Sequence, residues 1–140
     1  MTNLLDLKII TPRKIIYQDK VLSVSVPADD GEITILPKHT NLFSLLKEGI
    51  IKVKKLTDED YFAIGAGYLE TDGKEVIILV SKAYGQDEID KTLTEKAIDE
   101  AKKILLQAKD EKQKAEAIAM MRRAIIDSKL LKKRKTTKSL

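Results

Sequence analysis

Cysteine is absent from the 140 residues, which removes disulfides, thiol nucleophiles and thiolate metal sites together. One histidine, His39, leaves little material for a histidine-based metal centre. Aromatic residues make up 4% of the chain, too few for the stacking platforms that hold single-stranded nucleic acid. No apolar run approaches the roughly 18 residues that a membrane span needs, so a soluble or peripheral protein without membrane insertion is expected. The first residues show neither a basic flank with an apolar block nor an Arg/Ser-rich, acid-poor stretch, so no secretion or import signal is expected. Glycine and proline are missing from the later part of the chain. All six glycines and all three prolines lie before residue 86.

That shift in composition predicts two domains, residues 1–86 and 87–140. Charge divides at the same place. Residues 1–86 carry 11 Lys/Arg against 12 Asp/Glu, whereas residues 87–140 carry 15 against 10. Within the second part the cations come late: residues 117–140 hold eight Lys/Arg and one acid, Asp127.

The first domain has the period-two pattern of half-buried strands. A valine-rich run from Val21 to Val26 is expected to stop at Pro27, before the turn Asp29-Asp30-Gly31. Ile33 and Ile35 alternate with Thr34 and Leu36 up to Pro37, and Ile50, Ile51 and Val53 follow Gly49. Tyr68–Glu70 and Val76–Val80 flank Thr71-Asp72-Gly73, and Asp-Gly between strands signals a hairpin. Short strands at this spacing predict an N-terminal antiparallel β-sandwich or barrel. Beyond Gln86 the period becomes helical. One stripe runs through Ile89, Leu93, Ala97, Ala101, Ile104/Leu105 and Ala108, and a second through Ala115, Ile118, Met121, Ile125 and Ser128. Asp110 and Gln113 have the spacing of a capping box, which predicts helices at about 88–108 and 111–131 as a C-terminal antiparallel helical hairpin. One long helix is the alternative.

No catalytic constellation can be assembled from these residues. Asp29, Asp30 and Glu32 around Gly31 supply oxygen ligands of the kind calcium or magnesium takes, but too few at a calcium-loop spacing, so a plain hairpin turn is the better reading. Asp58, Glu59 and Asp60 read as a solvated turn without the pocket that acid–base chemistry requires. Gly65-Ala66-Gly67 is too short for a dinucleotide loop and no helix follows it. The cations Arg122, Arg123, Lys129, Lys132, Lys133, Arg134 and Lys135 read as a solvated charge run or as a nucleic-acid arm. The scarcity of aromatics and the mildly acidic first domain count against the second option.

Several segments resemble the epsilon subunits of F-type ATP synthases. Ile10-Thr11-Pro12-Arg13 with Ile16-Tyr17 is similar to the opening strand and turn of that family, and Gly31-Glu32-Ile33-Thr34-Ile35-Leu36-Pro37-Lys38-His39 resembles its Gly-Glu-x-x-Ile-Leu-Pro-x-His signature. Leu42, Leu45 and Gly49 continue the likeness, as do Ala66-Gly67-Tyr68-Leu69-Glu70 and Glu88-Ile89-Asp90. The resemblance implies a non-catalytic central-stalk subunit that couples the catalytic head to ion translocation and restrains ATP hydrolysis. Its implied partners are the gamma subunit, the membrane rotor ring of c subunits, and the alpha/beta head. Its implied place is peripheral, on the cytoplasmic face of the bacterial inner membrane or the thylakoid equivalent. Contact roles fall to Asp29, Asp30 and Glu32 toward the ring, and to His39 in a loop near gamma. The inhibitory basic face comprises Arg122, Arg123, Lys129, Lys132 and Lys133. Two departures stand out. Thr40-Asn41 replaces the family's Ala-Pro. In the ATP-binding pattern Leu93 and Thr94 replace arginine and alanine, and Asp127 stands where a cation is expected. Ile89, Asp90 and Arg123 remain of that site, and no cofactor or metal is expected. The alternative reading is a nucleic-acid-binding module with a basic helical arm.

Overall fold

A computed structural model describes residues 3–133. One compact unit runs through Gly85 and a second spans Gln86–Lys133.

The first unit contains β1 (Leu5–Ile10), β2 (Ile15–Val21), β3 (Ser23–Ala28), β4 (Gly31–Ile35), β5 (Leu42–Leu46), β6 (Gly49–Lys54), β7 (Glu59–Ile64), β8 (Gly67–Thr71), β9 (Glu75–Val80) and β10 (Ala83–Tyr84). Their order is β10-β7-β6-β3-β5-β8-β9-β1-β2, with β4 on the free side of β3. β3 meets β5 through one pair, Ala28↔Leu46, so the sheet folds there into two five-stranded layers. Strand alternation sends every second side chain inward. Leu5, Leu7 and Ile9 of β1, Val24 and Val26 of β3, and Val76 and Ile78 of β9 are at most 1% exposed. Burial of each such side chain contributes about 1.5–3 kcal/mol.

All pairings are antiparallel except one: β1 runs parallel to β9, Asp6↔Glu75 through Ile10↔Leu79. The strand path ends at β2, and side chains carry the closure from there. The Tyr17 ring on β2 meets Phe62 on β7 edge-on, with centroids 5.2 Å apart. The Tyr17 hydroxyl donates to Asp60 Oδ2 at 3.2 Å.

Two expectations for the first unit need correction. Pro27 does not stop its strand; β3 continues through it to Ala28. Its carbonyl accepts from Lys47 N at 2.9 Å, and the missing N–H lies on the same side of the strand. On that side β3 changes neighbour, from β6 at Ser25↔Lys52 to β5 at Ala28↔Leu46. Proline is tolerated in that gap because no ladder bond is lost. Asp58–Asp60 is not a solvated turn either. Asp60 belongs to β7 and lies on the same side of the strand as Phe62, and Lys55 Nζ binds Asp60 at 3.1 Å and Asp58 at 3.4 Å. Burial opposes the charge of Lys55, but the carboxylates of Asp60 and Asp58 outweigh it and hold the ammonium above the usual lysine range.

The second unit opens with a 3₁₀ turn at Gln86–Glu88, followed by α1 (Lys91–Gln107) and α2 (Glu111–Lys132). Two helices form rather than one because Asp110 caps α2, with a return bond from Gln113 that reaches one residue further back than in a capping box. Asp110 Oδ1 accepts from Gln113 N at 2.8 Å, and Gln113 Oε1 reaches back to Lys109 N at 2.9 Å. α1 starts three residues later than expected, since Asp90 caps it by accepting from Leu93 N at 3.0 Å.

The packed face of α1 keeps Ala97, Ala101, Leu105 and Ala108 of the expected stripe and loses Leu93, whereas that of α2 is turned by about one residue toward Ala117 and Ala124. Thr94, Ala101, Ala117, Ala124 and Leu130 are the buried residues of this unit among those described. Leu93, Ile118 and Ile125 are 64%, 46% and 39% exposed. Small side chains let two helix axes approach, so the pair closes along its alanines and leaves Leu93, Ile118 and Ile125 outside.

Candidate partner-binding faces

The register of one sandwich layer builds a continuous apolar row. Leu45 on β5 lies opposite Tyr68 on β8, Tyr68 opposite Leu79 on β9, Leu79 opposite Ile10 on β1, and Ile10 opposite Ile15 on β2. All five alternate with core residues and therefore face outward. Leu45 is 56% and Ile15 50% exposed, while Tyr68, Leu79 and Ile10 are half-buried. Phe43 extends the patch, 59% exposed with its ring 5.1 Å from that of Tyr68. A contiguous apolar face of this kind marks an interaction surface. Gly67 lets β8 lie close to β9, because a Cβ there would collide with the backbone of Leu79 and Val80. The outer face of the other layer is polar, with Ser25 Oγ 2.8 Å from Thr34 Oγ1 and Lys52 paired to Glu59 at 3.3 Å. Sequence reading found Leu45 and Tyr68 only as motif residues. The row exists through four strand pairings, of which the local Asp72-Gly73 turn encodes the β8–β9 pairing and the others join the row from beyond it.

The expected contact residues fall at opposite ends of β4. Asp29 and Asp30 form the turn before Gly31, whose φ of 130° explains the glycine. Glu32 follows on β4 and is exposed. Asp29 N donates to Leu45 O, which ties this turn to the end of β5. His39 lies at the far end, where its Nδ1 is 2.8 Å from Thr40 O. That loop packs on the β8–β9 turn: Lys38 N donates to Gly73 O, and a Cβ on Gly73 would press on His39 O. The acidic turn and His39 thus lie on either side of β4.

On α2 and its C-cap, Arg122, Arg123, Lys129, Lys132 and Lys133 are all exposed. At about 100° per residue, Arg122, Lys129 and Lys133 lie within about 40° of one another, opposite Ala117 and Ala124. Exposed Ile118 and Ile125 border them, so the outward face of α2 is both apolar and basic. Arg134 and Lys135 lie outside the described residues. Of the nucleotide-site remnant, Asp90 uses its carboxylate as a helix cap, Ile89 is half-buried and Arg123 is exposed. Thr94 is turned inward, its hydroxyl donating to Asp90 O at 2.9 Å. Among the described residues no group of three His, Asp or Glu is placed to hold a metal ion. No described helix is long and apolar enough to cross a membrane.

Comparison with known proteins assigns this arrangement. The family described as "ATP synthase, Delta/Epsilon chain, beta-sandwich domain" matches residues 4–86. An ATP synthase epsilon chain of Sulfurovum sp. (strain NBC37-1) is 36% identical over 106 residues, covering 75% of this chain and 82% of the relative. The cyanelle epsilon chain of Cyanophora paradoxa is 29% identical over 120 residues, covering 86% and 91%. Among solved structures, a chain of the Euglena gracilis mitochondrial ATP synthase (OSCP/F1/c-ring) superposes with a TM-score of 0.70 at 23% identity, covering 91% of this chain and 77% of its own. A chain of the Tetrahymena thermophila mitochondrial ATP synthase, from its central stalk and c-ring, superposes at 0.64 with 14% identity, covering 91% and 96%. With a sandwich that matches over its whole length and relatives that extend into the helices, this chain belongs to the ATP synthase delta/epsilon family, as an epsilon chain.

Proposed function

We propose that the chain is a non-catalytic subunit of the central stalk, which links the catalytic head to the membrane rotor and restrains ATP hydrolysis through its helices. The observation that carries the proposal is the apolar row Leu45–Tyr68–Leu79–Ile10–Ile15, an outward face that water disfavours and a protein partner would cover. The gamma subunit is the partner assigned to it. The acidic turn Asp29-Asp30 with Glu32 is assigned to the polar loops of the c-ring, and the His39 loop to a separate contact with gamma. The subunit then sits peripherally on the membrane, at the cytoplasmic face in a bacterium or its plastid equivalent. The Tetrahymena neighbour comes from a central stalk bound to a c-ring, which supports this assignment. A nucleic-acid role gains no support, since the outward row of the sandwich is apolar rather than basic.

The helical unit supplies the restraint. Arg122, Arg123, Lys129, Lys132 and Lys133 present cations that suit an acidic surface of the alpha/beta head. A single exposed ion pair contributes only about 0–1 kcal/mol, so the group acts together. Two measurements test the proposal. Tyr68→Glu with Leu45→Glu is expected to abolish recovery of gamma in a pull-down from membrane extract, and retained recovery would refute the docking face. Replacing the five cations with alanine is expected to raise ATP hydrolysis by the assembled complex, with single replacements doing little. If removal of the helices raises hydrolysis and the five-fold variant does not, shape rather than charge does the blocking.

A further inference from the structure

The residue that opens the helical unit also holds its end. The side-chain amide of Gln86 donates to Leu130 O at 2.7 Å and to Lys133 O at 2.6 Å, 44 and 47 residues along the chain. Both partners are carbonyl oxygens, so only the NH₂ group can face them and both its hydrogens are used. These carbonyls belong to the end of α2, where helix geometry leaves acceptors without intrahelical donors. The backbone supplies one donor there, Lys133 N to Leu130 O at 3.1 Å. α2 has 22 residues against 17 in α1, so it outreaches α1 by about 7 Å. The 3₁₀ turn at Gln86–Glu88 provides a partner for that extra length.

We infer that Gln86 is the catch that keeps α2 folded back on α1, and that releasing it frees the basic end of α2 to engage its partner. The hairpin is pinned at its turn by Asp110 and Gln113 and at its open end by Gln86. Between these pins the packing is largely alanine. A catch at the open end controls separation most directly, because opening starts where the helices are not joined. This inference rests on the proposed restraint of hydrolysis, and its two readouts fail separately.

Hydrogen exchange on the full chain reads the catch itself. Gln86→Ala is expected to speed exchange at the amides of Lys129–Lys132 about tenfold, the size expected when one or two neutral hydrogen bonds are lost. Amides in β8 and β9 should not change. Gln86→Glu keeps the shape, loses both donors near neutral pH, and should regain one when its carboxyl protonates below about pH 4. Its excess exchange over the parent chain should therefore shrink on acidification, which a purely steric role would not produce. Unchanged α2 exchange in both variants overturns the catch, as does equal acceleration in the sandwich. In the assembled synthase Gln86→Ala is expected to lower ATP hydrolysis at least twofold. Faster exchange without that loss would retain the catch and refute the restraint.

Discussion

In the sandwich the fully buried side chains are large: Leu5, Leu7, Ile9, Ile35, Ile51, Leu69 and Ile78 all sit at or below 1% exposure. In the helical unit three of the five buried residues described are alanine, one is threonine and one is leucine. Apolar area removed from water sets the driving force, at roughly 25 cal/mol per Å². The first region is therefore held by burial and the second by end caps and a few hydrogen bonds. A rigid platform can carry a constant docking face. A weakly packed pair of helices can exchange one surface for another, as a regulatory element must.

The sharpest test of this contrast is a truncation in one region and an insertion in the other. Ile78→Ala is expected to destabilise the sandwich by about 2–5 kcal/mol, because the surrounding strands cannot close over the lost volume. Urea unfolding followed by circular dichroism would show it as a lower midpoint for the strand signal. An unchanged midpoint would place the core elsewhere. Ala101→Leu acts in the opposite sense, inserting volume where the helices approach. It should destabilise the hairpin by about 1–3 kcal/mol and leave the sandwich transition in place. A single transition that shifts as a whole would abolish the distinction between the regions.

A smaller effect is expected at the closure of the sandwich. Burial, reinforced by the charges of Asp60 and Asp19, holds the Tyr17 phenol above the ordinary tyrosine range. A folded pKa above the unfolded one contributes stability below about pH 10 that is lost as pH rises further. Tyr17→Phe should lower stability at neutral pH by about 1 kcal/mol and flatten the alkaline decline. A decline of unchanged slope would assign it to other groups. Smallest of all is the response to ATP. Leu93 is exposed and apolar where the family resemblance expects a cation, and Asp127 is acidic. Millimolar ATP should therefore leave the melting temperature of the helical unit unchanged, whereas binding to the folded state would raise it.

What could be read from the sequence follows the range of the interactions. Asp72-Gly73 specified its hairpin because the turn is local: Asp72 Oδ1 accepts from Lys74 N and Glu75 N, and Gly73 takes a φ of 91°. Asp110 and Gln113 gave the helix break for the same reason. Helix faces were less legible, since Ala117 and Ile118 are both apolar and adjacent, and spacing cannot choose between them. The choice came from how closely two backbones approach. Pro27 misled because the gap it occupies is made by β5 and β6, not by its neighbours in sequence. Of the candidate site, the cations on α2 were visible in composition. The apolar row and the Gln86 bonds depend on residues brought together from distant parts of the chain.

The parallel pairing of β1 with β9 also sets a schedule for synthesis. Asp6 meets Glu75 and Ile10 meets Leu79, partners about seventy residues apart. At about 5–20 residues per second, β1 leaves the ribosome roughly 4–14 s before the strand that completes its pairing. Only β2 can pair with it in the meantime. Leu5, Leu7 and Ile9, which end at most 1% exposed, must pass that interval without their final neighbours. The nascent chain is thus most open to aggregation and to chaperones at its first strand, and it is released from that exposure when β9 arrives.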